Sequence, residues 1–224
     1  MKEGIYHVLS RGVDKRKIFM DDSDNYRFIH DLFEFNDEAP AANNFHKFND
    51  IVSRYSEVKR QPRKLLVDIL SFCLLPNHYH LMLANRAENG ISMFMRKLNV
   101  GYAKYFNEKN ERTGALFEGR YKSIKLEKQA HFIHLPYYIH LNPLDLFAPE
   151  WRAGELKNYK GSVKFLDSYR WSSHLDYLGE KNFPSLTSRD FLLEIFGGEK
   201  GYRKKISEYL KDLKLGRVSG VTLE

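Results

Sequence analysis

Cysteine is almost missing from this chain: Cys73 is the only one in 224 residues. A single thiol can form neither an internal disulfide nor a cysteine-rich zinc site, and the compartment it suits is a reducing cytoplasm. There is no apolar run long enough to span a bilayer and no signal-peptide pattern, so a membrane is not an expected partner. Internal repeats and low-complexity tracts are also missing. Acidic residues are outnumbered, with 29 Asp and Glu against 36 Lys and Arg, giving a formal charge of +7. That balance favours a polyanionic partner, nucleic acid before membrane, although charge alone licenses only non-specific attraction. Hydrophobic residues make up 42% and aromatics 14%, enough for a packed core and too many for a disordered chain.

The order of elements carries more information. Gly4–Arg11 reads as a strand ended by Gly12. Asp21, Asp22, Ser23 and Asp24 are N-cap candidates for a helix to about Asn36, with Phe28, Ile29, Leu32 and Phe33 at helical spacing. A short helix is expected around Ile51, Val52, Tyr55 and Val58, before a basic run at 59–64. Leu65–Leu74 is a near-continuous apolar strand, and the Pro76-Asn77 turn leads into another. After Gly90, residues Ile91, Phe94, Met95, Leu98, Tyr102, Tyr105 and Phe106 form one helical stripe, read as core. Arg120–Leu126 alternates as a fourth strand, and a helix follows from about Gln129 towards Asn142, stopped by Pro143. Strand, helix, strand, strand, helix, strand is the split βαβ pattern. The expected fold is therefore α+β: a ferredoxin-like (RRM-like) antiparallel sheet with helices on one face. Its first and third strands are central. A tyrosine-bearing helix lies near the third strand, and a mostly helical C-terminal extension follows. The expected boundaries are 1–144 and 145–224.

The third strand carries His78 and His80. Residues two apart on a strand point to the same face, and two imidazoles on one rigid face can start a divalent-metal site or simply be polar groups on a wet sheet. The helix after them holds Tyr138 and Asn142, four apart and so on one face, one turn of about 5.4 Å apart. Asn offers a hard carbonyl oxygen that suits Mg²⁺ or Mn²⁺ beside two imidazoles. A phenol beside such an ion points to phosphoryl transfer, with the tyrosine attacking phosphorus. Tyr137 is the nearest rival nucleophile, pointing about 100° away on a helix. His134 and His140 are read as surface or hydrogen-bonded histidines, with a proton-shuttle or ligand role as the alternative. Glu118 and Glu127 could assist with metal, though no spacing compels it. Pro136, lacking a donor, is expected in the first turn of a new helix near Leu135, or at a kink.

Leu75-Pro76-Asn77-His78-Tyr79-His80, the block from Arg112-Thr113-Gly114 to Arg120-Tyr121-Lys122-Ser123, and Tyr138-Ile139-His140-Leu141-Asn142-Pro143 together resemble the single-tyrosine His-hydrophobic-His transposases. Within that group the chain is most similar to the REP-associated tyrosine transposases. The similarity runs from Tyr6 to about Leu144, and Tyr169-Arg170-Trp171-Ser172-Ser173 resembles a later segment. The resemblance implies cleavage and rejoining of single-stranded DNA at hairpin-associated repeats through a covalent 5′-phosphotyrosine. It implies Tyr138 as nucleophile and His78, His80 and Asn142 as ligands of Mg²⁺ or Mn²⁺. Arg11, Arg112, Arg120, Lys122 and Lys125 are expected to contact DNA phosphates. A non-catalytic, domesticated hairpin-DNA-binding protein is the alternative, and a nuclease using water as nucleophile is a third reading. Whether two chains pair as a homodimer is left open. The extension offers two expected helices. Ser188 would cap the first, with Phe191, Leu192, Ile195 and Phe196 following it, and the second is an amphipathic basic helix at about Tyr202–Lys214.

Overall fold

The computed structural model describes residues 4–40, 62–127 and 129–215. The helix expected around Ile51–Val58 lies outside the described residues. Four strands, β1 (Ile5–Arg11), β2 (Val67–Leu75), β3 (His78–Asn85) and β4 (Lys122–Lys125), form one sheet in the order β2-β3-β1-β4. Every neighbouring pair is antiparallel. The first and third strands are thus central, as the ferredoxin-like reading requires. Helices α1 (Asp22–Glu34) and α2 (Gly90–Lys109) connect them. Asp21 caps α1 by accepting from the Asp24 N–H at 3.1 Å.

The sheet is covered on both faces. On one, Val8, Phe72, Leu74, Tyr79, Leu81 and Leu83 meet Phe28, Ile29 and Leu32 of α1 and Ile91, Phe94, Leu98 and Tyr102 of α2. On the other, Leu70, Cys73, Leu75, Met82 and Ala84 meet α3 (Gln129–Leu141) and the elements after it. These are α4 (Tyr159–Ser168), α5 (His174–Tyr177), α6 (Asp190–Phe196) and α7 (Gly198–Lys214). A single apolar cluster runs from the sheet through Leu135, Tyr137 and Ile139 of α3 to Leu166, Phe196, Tyr202 and Leu210.

Three details differ from expectation. Ser188 does not cap α6. Its hydroxyl donates to Asp68 Oδ1 at 2.9 Å and its N–H to Ile69 C=O at 2.8 Å, so it pins the incoming segment to β2. Helix α7 starts four residues early, at Gly198, beyond the reach of the apolar periodicity that marks Tyr202–Lys214. Pro136 neither starts nor breaks α3, which runs unbroken from Gln129 to Leu141. The lost helical bond is offset by the complete burial of Leu135 and Ile139 beside it.

The outer edge of β2 is occupied by the chain itself. Leu74 N–H donates to Trp171 C=O at 2.8 Å and Ser173 N–H to Phe72 C=O at 3.0 Å. Among the described residues no helix is long and apolar enough to cross a membrane.

Candidate active site

Antiparallel register decides which side chains share a face. Arg11 pairs with His78, Leu9 with His80 and His7 with Met82, while Cys73 and Leu75 pair with His80 and His78 from the other side. Directly paired residues point the same way. His78 and His80 therefore share the α3 face with His7 and Arg11, and Tyr79 points to the α1–α2 core, where it is fully buried.

The three imidazoles form one cluster. His7 Nε2 and His80 Nδ1 are 2.9 Å apart, with their rings stacked at 5.2 Å. The His78 and His80 rings are 5.0 Å apart and near perpendicular. His78 Nδ1 lies 2.6 Å from Asn77 Oδ1. In both histidines of the pair Nδ1 is thus engaged by a neighbour, which orients the ring. His80 Nε2 is buried and makes no hydrogen bond among the described residues. For that nitrogen to present a lone pair, the proton sits on Nδ1 and is donated to His7 Nε2. Burial, together with neighbouring His7, His78, Arg152 and Arg11, holds His80 well below the usual imidazole range, so it is neutral.

Helix α3 brings Tyr138 onto this cluster. Its ring meets His80 edge-on at 5.7 Å and His7 at 5.8 Å. Tyr137 points away into the C-terminal core and stacks on Tyr202 and Tyr209 at 6.0 and 6.2 Å. Asn142 lies just past the end of α3, where its Nδ2 donates to Tyr138 C=O at 2.8 Å and satisfies one of the helix's last carbonyls. Its Oδ1 accepts from Arg152 at 2.5 Å.

Arg152 and Asp145 had no motif to announce them. Both come from irregular turns after α3, where no periodicity marks a functional side chain. Arg152 Nη1 donates to the Tyr138 hydroxyl at 2.7 Å, and its guanidinium lies over the Tyr138 and Trp151 rings at 4.9 and 4.6 Å. Asp145 accepts from Arg152 Nε at 2.9 Å, from Nη2 at 2.8 Å and from Trp151 Nε1 at 2.7 Å. Burial by itself works against this charge, but Asp145 and Tyr138 hold the guanidinium above its usual range. His7 was also missed. Its only signal is that β1 and β3 are both central, and that becomes useful only once the register is known.

The residues suit a divalent ion in part on their own chemistry. Among the described residues no three His, Cys, Asp or Glu side chains converge on one metal position. What is present is a pair of oriented imidazoles, one with an orphaned buried nitrogen, and an Asn carbonyl with a second lone pair beyond the one Arg152 uses. Two nitrogens and an amide oxygen, completed by water or phosphate, fit Mg²⁺ or Mn²⁺.

The five cations expected at DNA divide by location. Arg11 and Lys122 lie on the histidine face, paired with His78 and Leu9. Lys125 pairs with Tyr6 and points to the opposite face. Arg120 lines a cleft of about 390 Å³ with Arg96, Asn89, Asn99 and Tyr121, on the α2 side. Arg112 donates to Asn107 Oδ1 at 2.5 Å and to Ala115 C=O at 3.1 Å, fastening the loop after α2. His134 is exposed. His140 is buried and bonded on both nitrogens, to the Tyr202 hydroxyl at 2.8 Å and the Ser173 hydroxyl at 2.7 Å.

The site thus combines a ferredoxin-like sheet, paired histidines on a central strand and a tyrosine laid over them from a following helix. Residues 43–142 are similar to the family model described as "Transposase IS200 like". A solved structure described as a REP-associated tyrosine transposase bound to a REP hairpin is similar at 14% identity, with a TM-score of 0.49. The similarity covers 85% of this chain and 88% of that one. No curated protein matches.

Proposed function

We propose that this protein cleaves and rejoins single-stranded DNA, with Tyr138 attacking a phosphodiester to form a covalent 5′-phosphotyrosine and release a 3′-OH. The observation that carries the reading is the packing of Tyr138 edge-on against His80 and His7, on the face that also bears His78 and Arg11. The similarity of residues 43–142 to the IS200-like transposase model supports DNA as substrate.

In this reading His78, His80 and Asn142 hold a divalent ion, Mg²⁺ or Mn²⁺. When bound it supplies positive charge to the phosphate oxygens. The other roles belong to the chain. Asn77 and His7 fix the two ring orientations. Asn142 ties its own carbonyl to the tyrosine's turn of α3. Arg11 and Lys122, on the same face, attract the DNA backbone and make its affinity fall with salt. Lys125, Arg120 and Arg112 lie off that face, so as phosphate contacts they serve flanking DNA. The motif resemblance names hairpin-associated repeats as the site.

The test is a labelled single-stranded oligonucleotide from the repeats flanking the gene, incubated with and without Mg²⁺ and run on a denaturing gel. A protein–DNA band that needs Mg²⁺ and is lost in Tyr138→Phe is expected. An adduct persisting in that variant sinks the assignment. Hairpin binding indifferent to EDTA and without adduct identifies the non-catalytic, domesticated alternative.

A further inference from the structure

Arg152 joins Tyr138 to Asn142 and has no counterpart among the residues expected from sequence. Its hydrogen bonds can be counted. A guanidinium has five N–H groups. Nε–H and one Nη2–H go to the two oxygens of Asp145, at 2.9 and 2.8 Å, a paired contact that fixes the guanidinium plane. The second Nη2–H goes to Asn142 Oδ1 at 2.5 Å, and one Nη1–H to the Tyr138 hydroxyl at 2.7 Å. One N–H remains, on Nη1, beside that hydroxyl. The Arg152 side chain is 23% exposed, so it is not sealed in the core. Asp145 is held in turn by the Trp151 indole, and Trp151 is 1% exposed. The Asp145 contacts fasten the turn Pro149–Ala153 to the turn Asn142–Leu146 before it. The contacts to the phenol oxygen and the amide carbonyl are directed at the reacting groups.

We propose that Arg152 is a catalytic residue of this site. It holds the Tyr138 hydroxyl in place and gives its remaining Nη1–H to a non-bridging oxygen of the phosphate that Tyr138 attacks. The inference rests on the phosphotyrosine reading above and adds the residues that complete it, Asp145 and Arg152, which lie beyond α3. In the step, a bond forms between Tyr138 Oη and phosphorus while the bond from phosphorus to the 3′ oxygen breaks. The phenolic proton leaves to solvent and the 3′ oxygen takes one up. A planar, always-charged fork suits an in-line phosphate better than an ammonium does.

The experiment measures adduct formation against oligonucleotide concentration for the wild type, Arg152→Gln and Arg152→Lys. The linkage that the wild type cuts is supplied either as a phosphodiester or as a methylphosphonate, which lacks one charged non-bridging oxygen. Arg152→Gln is expected to lower the saturating rate on the phosphodiester by about 10²–10³-fold, with little change in half-saturation. Arg152→Lys should recover part of that loss. On the methylphosphonate the wild-type and Arg152→Gln rates should converge. An equal loss on both linkages would make Arg152 structural only and overturn the proposal, as would an Arg152→Gln rate equal to wild type. If thermal melting shows Arg152→Gln unfolded, Asp145→Asn takes its place. That change keeps the cation and loosens its plane, and the same convergence is required. A wild-type protein that forms no adduct fails the phosphotyrosine reading itself, and the proposal with it.

Discussion

Two histidine–tyrosine clusters sit on the same side of the sheet, built from the same parts. In one, His7, His78 and His80 gather under Tyr138. In the other, His140 and His174 both meet the Tyr202 hydroxyl, each at 2.8 Å. The second cluster closes on itself. His140 Nε2 bonds the Ser173 hydroxyl, which also accepts from Phe72 N–H at 3.0 Å, and His174 Nε2 lies 3.7 Å from Asp167. A consistent set of protons runs from Ser173 to His140, to Tyr202 and to His174. Both nitrogens of His140 are satisfied. In the first cluster His80 keeps a buried nitrogen without a hydrogen bond, and the tyrosine above it is held by a cation rather than by a histidine. Composition does not tell a binding site from a structural one. Hydrogen-bond accounting separates them: the bonds of the second cluster are made within the fold, whereas the first keeps a buried ring nitrogen that has the lone pair a ligand needs.

The sharpest way to break this comparison is to remove one histidine from each cluster. His80→Ala is expected to abolish divalent-metal binding by titration calorimetry, and the lost His7 contact and the cavity left by a fully buried ring should cost about 2 kcal/mol of stability. His140→Ala should spare the metal and cost more stability, because two hydrogen bonds are lost rather than one. It leaves the Tyr202 and Ser173 hydroxyls short of a partner and opens a cavity, a loss of about 3 kcal/mol in urea unfolding, with metal binding intact in the folded fraction. Equal metal loss in both variants would erase the distinction.

Acid is a milder probe. Burial holds both His80 and His140 well below the ordinary value of 6.5, with His174 adding to the effect at His140. Each is neutral when folded and takes up a proton when unfolded below that value. Their contribution is therefore complete above about pH 6.5 and is lost as pH falls, by up to about 1.4 kcal/mol per pH unit for each histidine. Denaturant unfolding between pH 7 and pH 5 checks the slope, which should be shallower in His140→Ala. A stability flat over that range would mean neither histidine is held neutral.

The smallest effect expected is at the rival nucleophile. The Tyr137 hydroxyl is buried and makes no hydrogen bond among the described residues, so Tyr137→Phe should be neutral or slightly stabilising, within about 1 kcal/mol. Adduct formation should be unchanged. A Tyr137→Phe protein that forms no adduct would move the nucleophile one residue back.

Much of this architecture is legible from pattern. Period-2 and period-3.6 apolar spacing marks the four strands and α1 to α3, and their order leaves few ways to pair. The histidine face and Tyr138 follow, because each depends on spacing within one element. His7 is hidden because its partnership with His80 crosses between strands and exists only in one register. Asp145 and Arg152 are hidden for a different reason. They lie in short 3-10 turns, Asn142–Leu146 and Pro149–Ala153, that carry no apolar period, and they sit past the point where Pro143 ends the readable helix. Ser188 shows the opposite error. Its residue type invites a cap, and tertiary contact with Asp68 and Ile69 takes the hydroxyl and amide instead.

The segment from Trp171 to Ser173 along β2 has a consequence for how the protein behaves in a crowd. A long apolar strand with a bare rim is a template on which other chains aggregate. β2 is nine residues long and buried throughout, and without this strap its rim would be such a template. The opposite rim, β4, is four residues long and carries Lys122 and Lys125, a short and charged border that discourages strand addition. Cutting the chain at residue 168 should therefore do more than remove helices. It would uncover an adhesive edge, and the shortened protein should precipitate from dilute solution where the full-length chain stays dispersed.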